Sequence, residues 1–359
     1  MDILIVAAGT GGHVYPALSV AREFSNKDYK VFWLGGKNSL EERLSIREDY
    51  TFFEHTARGF RGKNILMKMA ALFSLFFSFL SSVALLKRIN PVFVFTTGNY
   101  SSLGPSFAAI ILKIPLFIHE QNSIPGSANK ILNLFSDFTF EGFKASFTAS
   151  KKVKHVGNPV RLEFQKKKSN LPNANANERK GMFRILILGG SQGSSQINQL
   201  TFKAISRLST REQLFIHHQS GQDDQKLLDK QYSSLGINYQ VESFVEDISG
   251  AISEANLIIS RAGAMTISEI AYMSKASILI PLPWSIDNHQ MRNAEYFEKL
   301  GGALVINESG VNENSLLMTI EMLMIDRNKL AKLGKLAYLE SHPDTSHRIF
   351  KYINESISD

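Results

Sequence analysis

Histidine, glutamate and asparagine gather in this chain where short apolar runs end, so acid–base and hydrogen-bonding groups stand at predictable places. Gly9-Thr10-Gly11-Gly12-His13 follows the apolar run that starts at Ile3. A glycine-rich turn between a buried strand and a helix N-terminus offers unpaired N–H groups and the positive end of a helix dipole, which suits a phosphate. An imidazole ordinarily titrates near neutral pH, so His13 at that turn can serve as a base; a hydrogen-bonded turn histidine is the plainer alternative. Gly189-Gly190-Ser191-Gln192-Gly193 repeats the pattern after the run Ile185-Leu186-Ile187-Leu188, about 180 residues further on.

Three more clusters share this setting. His119-Glu120-Gln121-Asn122 follows an apolar run and puts four polar side chains at a strand's C-terminal end, where open α/β sheets bind ligands. Position 123 is Ser, so the zinc pattern H-E-x-x-H is not formed. Gly157-Asn158-Pro159-Val160-Arg161 looks like an inter-domain turn that aims an arginine at a cleft, although Asn-Pro turns are common. Ser260-Arg261-Ala262-Gly263-Ala264-Met265-Thr266-Ile267-Ser268-Glu269 ends a strand and opens a helix. Its amides at 264–266 can hold a diphosphate, and Glu269 can accept from a ribose diol. The alternative is a capping box, with Thr266 as cap and Glu269 three residues on. The loop from Pro281 to Gln290 offers polar groups to sugar hydroxyls.

These clusters need a scaffold of strands alternating with helices. Apolar strand candidates lie at 3–7, 31–34, 92–95, 115–118, 138–140, 185–188, 215–217, 257–259 and 277–280, with helix-compatible segments such as 16–24, 196–208 and 266–273 between them. Runs apolar on both faces imply parallel sheets covered on both sides by helices. The fold expected is α/β, with two Rossmann-like parallel-sheet domains facing a cleft: an N-terminal domain 1–158 and a C-terminal domain 159–359 whose last helix can cross back to the first. The polar stretch 166–180 separates them as a mobile loop.

Composition narrows the chemistry. With 359 residues and 44% hydrophobic, two domains with real cores are affordable. Lys and Arg number 40 against 33 Asp and Glu, a net +7 that favours anionic partners without choosing among them. There is no cysteine, hence no disulfide, thiolate nucleophile or thiolate metal site. No cleavable signal is expected, because Met1 runs straight into the first strand. A dinucleotide oxidoreductase fits poorly: Val14 occupies the third glycine position of G-x-G-x-x-G, and Gly35-Gly36 follows the next strand instead of an acidic residue.

Residues 69–86 carry no charge and include Phe76, Phe77 and Phe79; Arg58, Arg61, Lys63 and Lys68 precede them, and Lys87 and Arg88 follow. The favoured reading is a helix with an apolar face on a bilayer and a basic rim against anionic lipid; a spanning helix and a buried core helix are the alternatives.

Six motifs in order — the two glycine turns, His119-Glu120-Gln121-Asn122, Gly157-Asn158-Pro159-Val160-Arg161, Gly263 to Glu269, and Asn288-His289-Gln290 with Asn293 — resemble the bacterial N-acetylglucosaminyltransferases of peptidoglycan synthesis, which convert lipid I to lipid II. The resemblance covers nearly the whole chain. It implies the GT-B glycosyltransferase fold and inverting transfer from UDP-N-acetylglucosamine to undecaprenyl-diphosphate-MurNAc-pentapeptide, forming a β1→4 link. By position, Ser191, Gln192 and the turn Ala264, Met265, Thr266 would hold the diphosphate, Glu269 the ribose, and the main chain at Val245 the uracil. Asn122, His289 and Gln290 would contact the GlcNAc, with Arg161 also on the donor side. His13 would be the base. Thr10, Gly11 and Gly12 would lie against the transferring sugar or acceptor phosphates, with Tyr100 and Asn122 on the acceptor side. The resemblance implies no metal, cofactor or nucleic acid. It implies a peripheral position on the cytoplasmic face of the inner membrane, an anionic membrane surface as partner, and cell-wall synthesis proteins as possible company. Two positions depart from the family pattern: Leu103 and Asn99 both stand where a glycine is usual.

Overall fold

The computed structural model describes residues 1–55, 65–169, 181–189, 193–283, 288–307 and 313–358, with the backbone alone for 65–72. The chain forms two compact units, Met1–Arg161 with His342–Asp359, and Leu162–Ser341. The division falls at Arg161, and the C-terminal segment belongs with the first unit.

In the first unit the elements run β1 (Asp2–Val6), α1 (Gly11–Ser25), β2 (Lys30–Gly35), α2 (Leu40–Arg47), β3 (Thr51–Glu54), α3 (Ile65–Ile89), β4 (Val94–Thr96), a 3-10 turn Tyr100–Ser102, α4 (Leu103–Ile111), β5 (Leu116–Glu120), α5 (Ser127–Leu132), β6 (Phe138–Glu141) and β7 (Val153–His155). The strands are parallel, in the order β3-β2-β1-β4-β5-β6-β7. The second unit runs α6 (Leu162–Ser169), β8 (Phe183–Leu188), α7 (Ser195–Ser206), β9 (Leu214–Gln219), α8 (Gln225–Ser233), β10 (Asn238–Glu242), α9 (Ile248–Glu254), β11 (Leu257–Ser260), α10 (Ala264–Tyr272), β12 (Ala276–Leu279), α11 (His289–Lys299), β13 (Leu304–Val305), α12 (Glu313–Ile325) and α13 (Arg327–Tyr338). Its parallel order is β10-β9-β8-β11-β12-β13. The last helix, α14 (Thr345–Ser358), packs on α1, where Phe350 meets the ring of Phe24 at 5.0 Å.

Both sheets reverse strand order beside their first strand, between β1 and β4 and between β8 and β11. Such a reversal leaves a crevice at the strands' C-terminal ends, because successive connections leave on opposite faces. Ile3, Ile5, Trp33, Phe95 and Phe117 are buried on one face of the first sheet; Leu4, Val6, Leu34, Val94 and Ile118 are buried on the other.

Three local expectations change. The polar stretch from Lys166 begins inside helix α6, and residues 170–180 lie outside the described set. His119 and Glu120 belong to β5 itself and are buried, so of that tetrapeptide only Asn122 keeps part of its surface. Helix α3 is neither wholly buried nor free of the domain. It packs on α4 and buries Ser78, Ser82, Leu86 and Ile89, while Phe73, Phe76, Phe77 and Leu80 stand exposed. Phe79 turns inward against the core.

Candidate active site

The first unit's site is built around the β1–β4 reversal. Gly9 takes φ +106°, and a Cβ there would press on Asn99 Nδ2 at 2.9 Å, so the turn requires glycine. Thr10 is the N-cap of α1, and Gly11 and Gly12 open the helix with no acidic side chain in its first turn. The first amides of a helix have no intrahelical partner, which leaves this end suited to an anion. His13 Nδ1 lies 3.0 Å from the carbonyl oxygen of Thr97, just after β4. A carbonyl only accepts, so Nδ1 carries the proton and Nε2 keeps the lone pair. Thr97 also clamps the backbone, donating from Oγ1 to His13 O at 3.0 Å. The ring is thereby held in the tautomer a general base needs.

Asn99 explains its own departure from glycine. It adopts φ 95°, a conformation that asparagine tolerates better than most residues. Its Nδ2 donates to Ala8 O at 3.0 Å, joining the two turns of the crevice. Leu103 takes ordinary helical angles at the start of α4 and is buried, so it fills core space without strain. Tyr100 sits half-buried in the 3-10 turn.

Glu120 organises the Asn122 loop. Oε1 accepts from the amide and Nδ2 of Asn122 at 2.9 and 3.0 Å; Oε2 accepts from Gly126 N at 3.0 Å and Asn129 Nδ2 at 2.9 Å. Burial pushes the His119 imidazole down to about 4, so the ring is neutral. Its Nε2 donates to Gly157 O at 3.0 Å, and its Nδ1 accepts from Gln121 Nε2 at 3.0 Å. His119 is therefore a brace between β5 and the turn at Gly157. Arg161 lies over the Tyr15 ring at 4.7 Å.

The second unit repeats the plan at the β8–β11 reversal. Ser194 caps α7, and its Oγ accepts from Arg261 Nη2 at 2.7 Å. Arg261 is buried and also donates to Ile280 O at 3.2 Å, so it ties three connections together. Ser191 and Gln192 lie outside the described residues. Gly263 is the N-cap of α10 and no side chain caps it, so the alternative reading of a capping box with Thr266 as cap does not hold. Ala264, Met265 and Thr266 make the first turn, and Glu269 is buried one turn on. His289 and Gln290 open α11; Gln290 Oε1 accepts from Leu282 N at 3.0 Å. Buried Asn293 donates to Ala262 O at 3.2 Å and fixes α11 to the turn before α10. The amide of Val245 donates to Gln219 Oε1 at 3.1 Å beside exposed Phe244.

Thus Thr10, Gly11, Gly12, His13, Tyr100, Asn122 and Arg161 belong to the first unit, and Val245, Ala264, Met265, Thr266, Glu269, His289 and Gln290 to the second. The sequence reading named Glu120 and Arg261 within their motifs without giving them a supporting role, and it missed Thr97 and Asn129, which carry no local signal.

Two parallel-sheet units, each with a helix opening where its strand order reverses, fit a nucleotide-sugar glycosyltransferase. The glycosyltransferase family 28 N-terminal domain matches residues 3–140 and the family's C-terminal domain matches residues 184–349. The chain belongs to that family and has its GT-B architecture. A Coxiella burnetii (strain RSA 331 / Henzerling II) protein is 38% identical over 347 residues, 97% of this chain and 96% of the relative. It is named UDP-N-acetylglucosamine--N-acetylmuramyl-(pentapeptide) pyrophosphoryl-undecaprenol N-acetylglucosamine transferase. A Pseudomonas savastanoi pv. phaseolicola protein of the same name is 35% identical over 348 residues, 97% of this chain and 96% of its own. The crystal structure of Acinetobacter baumannii MurG superposes with a TM-score of 0.83 at 30% identity, covering 99% of each chain. A UDP-GlcNAc 2-epimerase from Neisseria meningitidis, 13% identical with a TM-score of 0.71 over 99% of this chain and 100% of its own, shares the fold alone.

Proposed function

We propose that this enzyme transfers GlcNAc from UDP-GlcNAc to the C4 hydroxyl of MurNAc in undecaprenyl-diphospho-MurNAc-pentapeptide, converting lipid I to lipid II in peptidoglycan synthesis. The observation that carries the mechanism is His13, held by Thr97 with its Nε2 lone pair free of the bond that orients it. The names of the relatives supply the substrates.

The acceptor O4 attacks the anomeric carbon of GlcNAc while its proton passes to His13 Nε2. The bond from that carbon to the UDP β-phosphate oxygen breaks, and UDP leaves with the electron pair. One displacement inverts the centre and gives the β1→4 link. The amides of Ala264, Met265 and Thr266 receive the charge growing on the diphosphate, and the family resemblance assigns Ser191 to the diphosphate and Gln192 to the donor. Glu269 takes the ribose hydroxyls, the main chain of Val245 the uracil, and Asn122, Arg161, His289 and Gln290 the sugar side of the donor. The turn of Thr10, Gly11 and Gly12 lies against the transferring sugar or the acceptor phosphates, and Tyr100 and Asn122 serve the acceptor.

The enzyme works as a peripheral protein on the cytoplasmic face of the inner membrane, against anionic lipid. Support comes from α3: its Ser78, Ser82 and Leu86 are packed into the domain while Phe73, Phe76 and Phe77 face outward, with exposed Lys87 and Arg88 at its end. Helix α4, packed on α3, adds exposed Ile111, and α5, packed on α4, adds Ile131, with Leu134 and Phe135 just after it. Among the described residues no helix is long and apolar enough to cross a membrane. Apolar insertion flanked by cations is the pattern of an interfacial helix.

The test is transfer of labelled GlcNAc from UDP-GlcNAc to a lipid I analogue. A β1→4-linked product is expected; label that enters no muramoyl acceptor under turnover conditions removes this function.

A further inference from the structure

We propose that His55 is a positioning residue for the lipid-linked acceptor: it fastens the turn Tyr100–Ser102 to the helix that lies on the bilayer and transmits docking to the acceptor side of the site. This rests on the membrane reading of α3 given above.

His55 follows the edge strand β3. Its Nε2 lies 2.9 Å from Ser101 O, and Ser78 Oγ lies 3.2 Å from the same nitrogen. The carbonyl only accepts, so Nε2 carries the proton and shares it between the two oxygens. One imidazole therefore joins β3, α3 and the acceptor turn. Burial lowers its proton affinity, which keeps the ring neutral in this role.

Ser78 sits at the right place to feel the membrane. It is 1% exposed, yet Phe76, Phe77 and Leu80 on the same two turns of α3 are exposed. On its inner side α4 approaches so closely that a Cβ on Gly104 would collide with Ser78 Oγ. A shift of α3 at Ser78 must then be felt by both α4 and His55. From Ser101 the connection continues by covalent and hydrogen bonds: Ser102 Oγ donates to Asn99 O at 2.7 Å, and Asn99 Nδ2 donates to Ala8 O beside the first glycine turn. Between α3 and β2–β3 lies a cavity of about 380 Å³, lined by Leu34, Phe53, His55, Ser82 and Arg88 among others. The pocket opens to solvent, and on its wall His55 is the group that joins β3 to Ser78 of α3 and to the Ser101 carbonyl.

The experiment follows hydrogen exchange in peptides covering 98–105 of the full-length enzyme, with and without phosphatidylglycerol vesicles. Vesicles should slow exchange there about tenfold in the wild type. His55→Leu should bind vesicles with unchanged affinity but show no slowing. His55→Gln, whose side-chain N–H can reach the same carbonyl, should restore it. In kinetics, His55→Leu should raise KM for the lipid-linked acceptor about tenfold with KM for UDP-GlcNAc unchanged. Equal slowing in His55→Leu and wild type, failure of His55→Gln to restore it, or parallel rises in both KM values would overturn the proposal. If His55→Leu does not fold, Ser78→Ala decides the same point: reduced slowing is expected, and unchanged slowing overturns it. A wild type that binds UDP but transfers nothing to the lipid acceptor refutes the proposed function, while the exchange measurement, which needs no turnover, still judges His55.

Discussion

Replacing Phe77 by serine should detach the enzyme from vesicles without touching its donor site. Phe73, Phe76 and Phe77 are 60%, 55% and 64% exposed. A phenylalanine offers about 200 Å² of surface, so each leaves on the order of 120 Å² in water. At about 25 cal/mol per Å², full insertion of one ring contributes about 3 kcal/mol, and incomplete insertion contributes less. Vesicle affinity should therefore fall about 10- to 100-fold for Phe77→Ser and further for the triple variant with Phe73 and Phe76. Phe79→Ser makes the contrast: that ring packs against the core, so it should lower Tm. The assay is co-sedimentation with phosphatidylglycerol vesicles at several salt concentrations, with UDP calorimetry in parallel. Binding should weaken as salt rises, because Lys87 and Arg88 are exposed and screened. A change of less than about threefold in Phe77→Ser, against the 10-fold minimum above, would refute the reasoning, as would loss of UDP binding in step with vesicle binding.

Four further outcomes follow from the geometry. His13→Ala should lower turnover about 10²- to 10⁴-fold while UDP affinity holds, as loss of a general base does; near-normal turnover would remove it from the mechanism. Glu269→Ala should weaken UDP itself by about 1.5–3 kcal/mol, read by calorimetry, and an unchanged affinity would leave Glu269 a structural role only. Glu120→Gln sets an NH2 group against N–H donors that now bond a carboxylate oxygen, and should cost about 2–4 kcal/mol in urea unfolding; a stability equal to wild type would mean the loop is held otherwise. The fourth concerns pH. His119 stays neutral in the fold down to about 4, whereas an unfolded histidine takes a proton near 6.5. Its stabilising contribution is thus present above about 6.5 and is lost as pH falls toward 4, about 3 kcal/mol in all, so His119→Gln should show a shallower decline over that window than wild type.

The sequence shows the middle of each sheet and hides its edges. The nine apolar runs correspond to β1, β2, β4, β5, β6, β8, β9, β11 and β12, which all have neighbours on both sides. Among the described residues the strands that went unread are β3, β7, β10 and β13, which end the two sheets. An edge strand has one neighbour and a wet side, and β10 shows the consequence: it reads Asn-Tyr-Gln-Val-Glu and none of its residues is buried. In helix α3 the exposed apolar face was legible, but not that Phe79 would turn inward. Amphipathic logic expects serine outside and phenylalanine inside, but here Ser78 and Ser82 face the domain. Small side chains let α4 come close at Gly104, and Phe73, Phe76 and Phe77 are left exposed.

The chemistry was legible where it sits on one turn and illegible where topology joins two. His13 stands out beside its glycines, but the group that sets its tautomer is 84 residues away, at Thr97. Arg261 and the Ser194 it holds are 67 residues apart. Neither distance is arbitrary. In each unit the first strand and the strand added on its other side lie next to one another only because the sheet order reverses there. The loops leaving those two strands must then meet, and each needs a polar bond to the other to stay apart from the core and open to ligand. The first unit meets this need with the imidazole of His13 and the amide of Asn99. The second meets it with the buried guanidinium of Arg261, beside the turn that opens α10. This division follows the proposed roles: proton removal from an acceptor needs an uncharged base, and departure of UDP needs nearby positive charge.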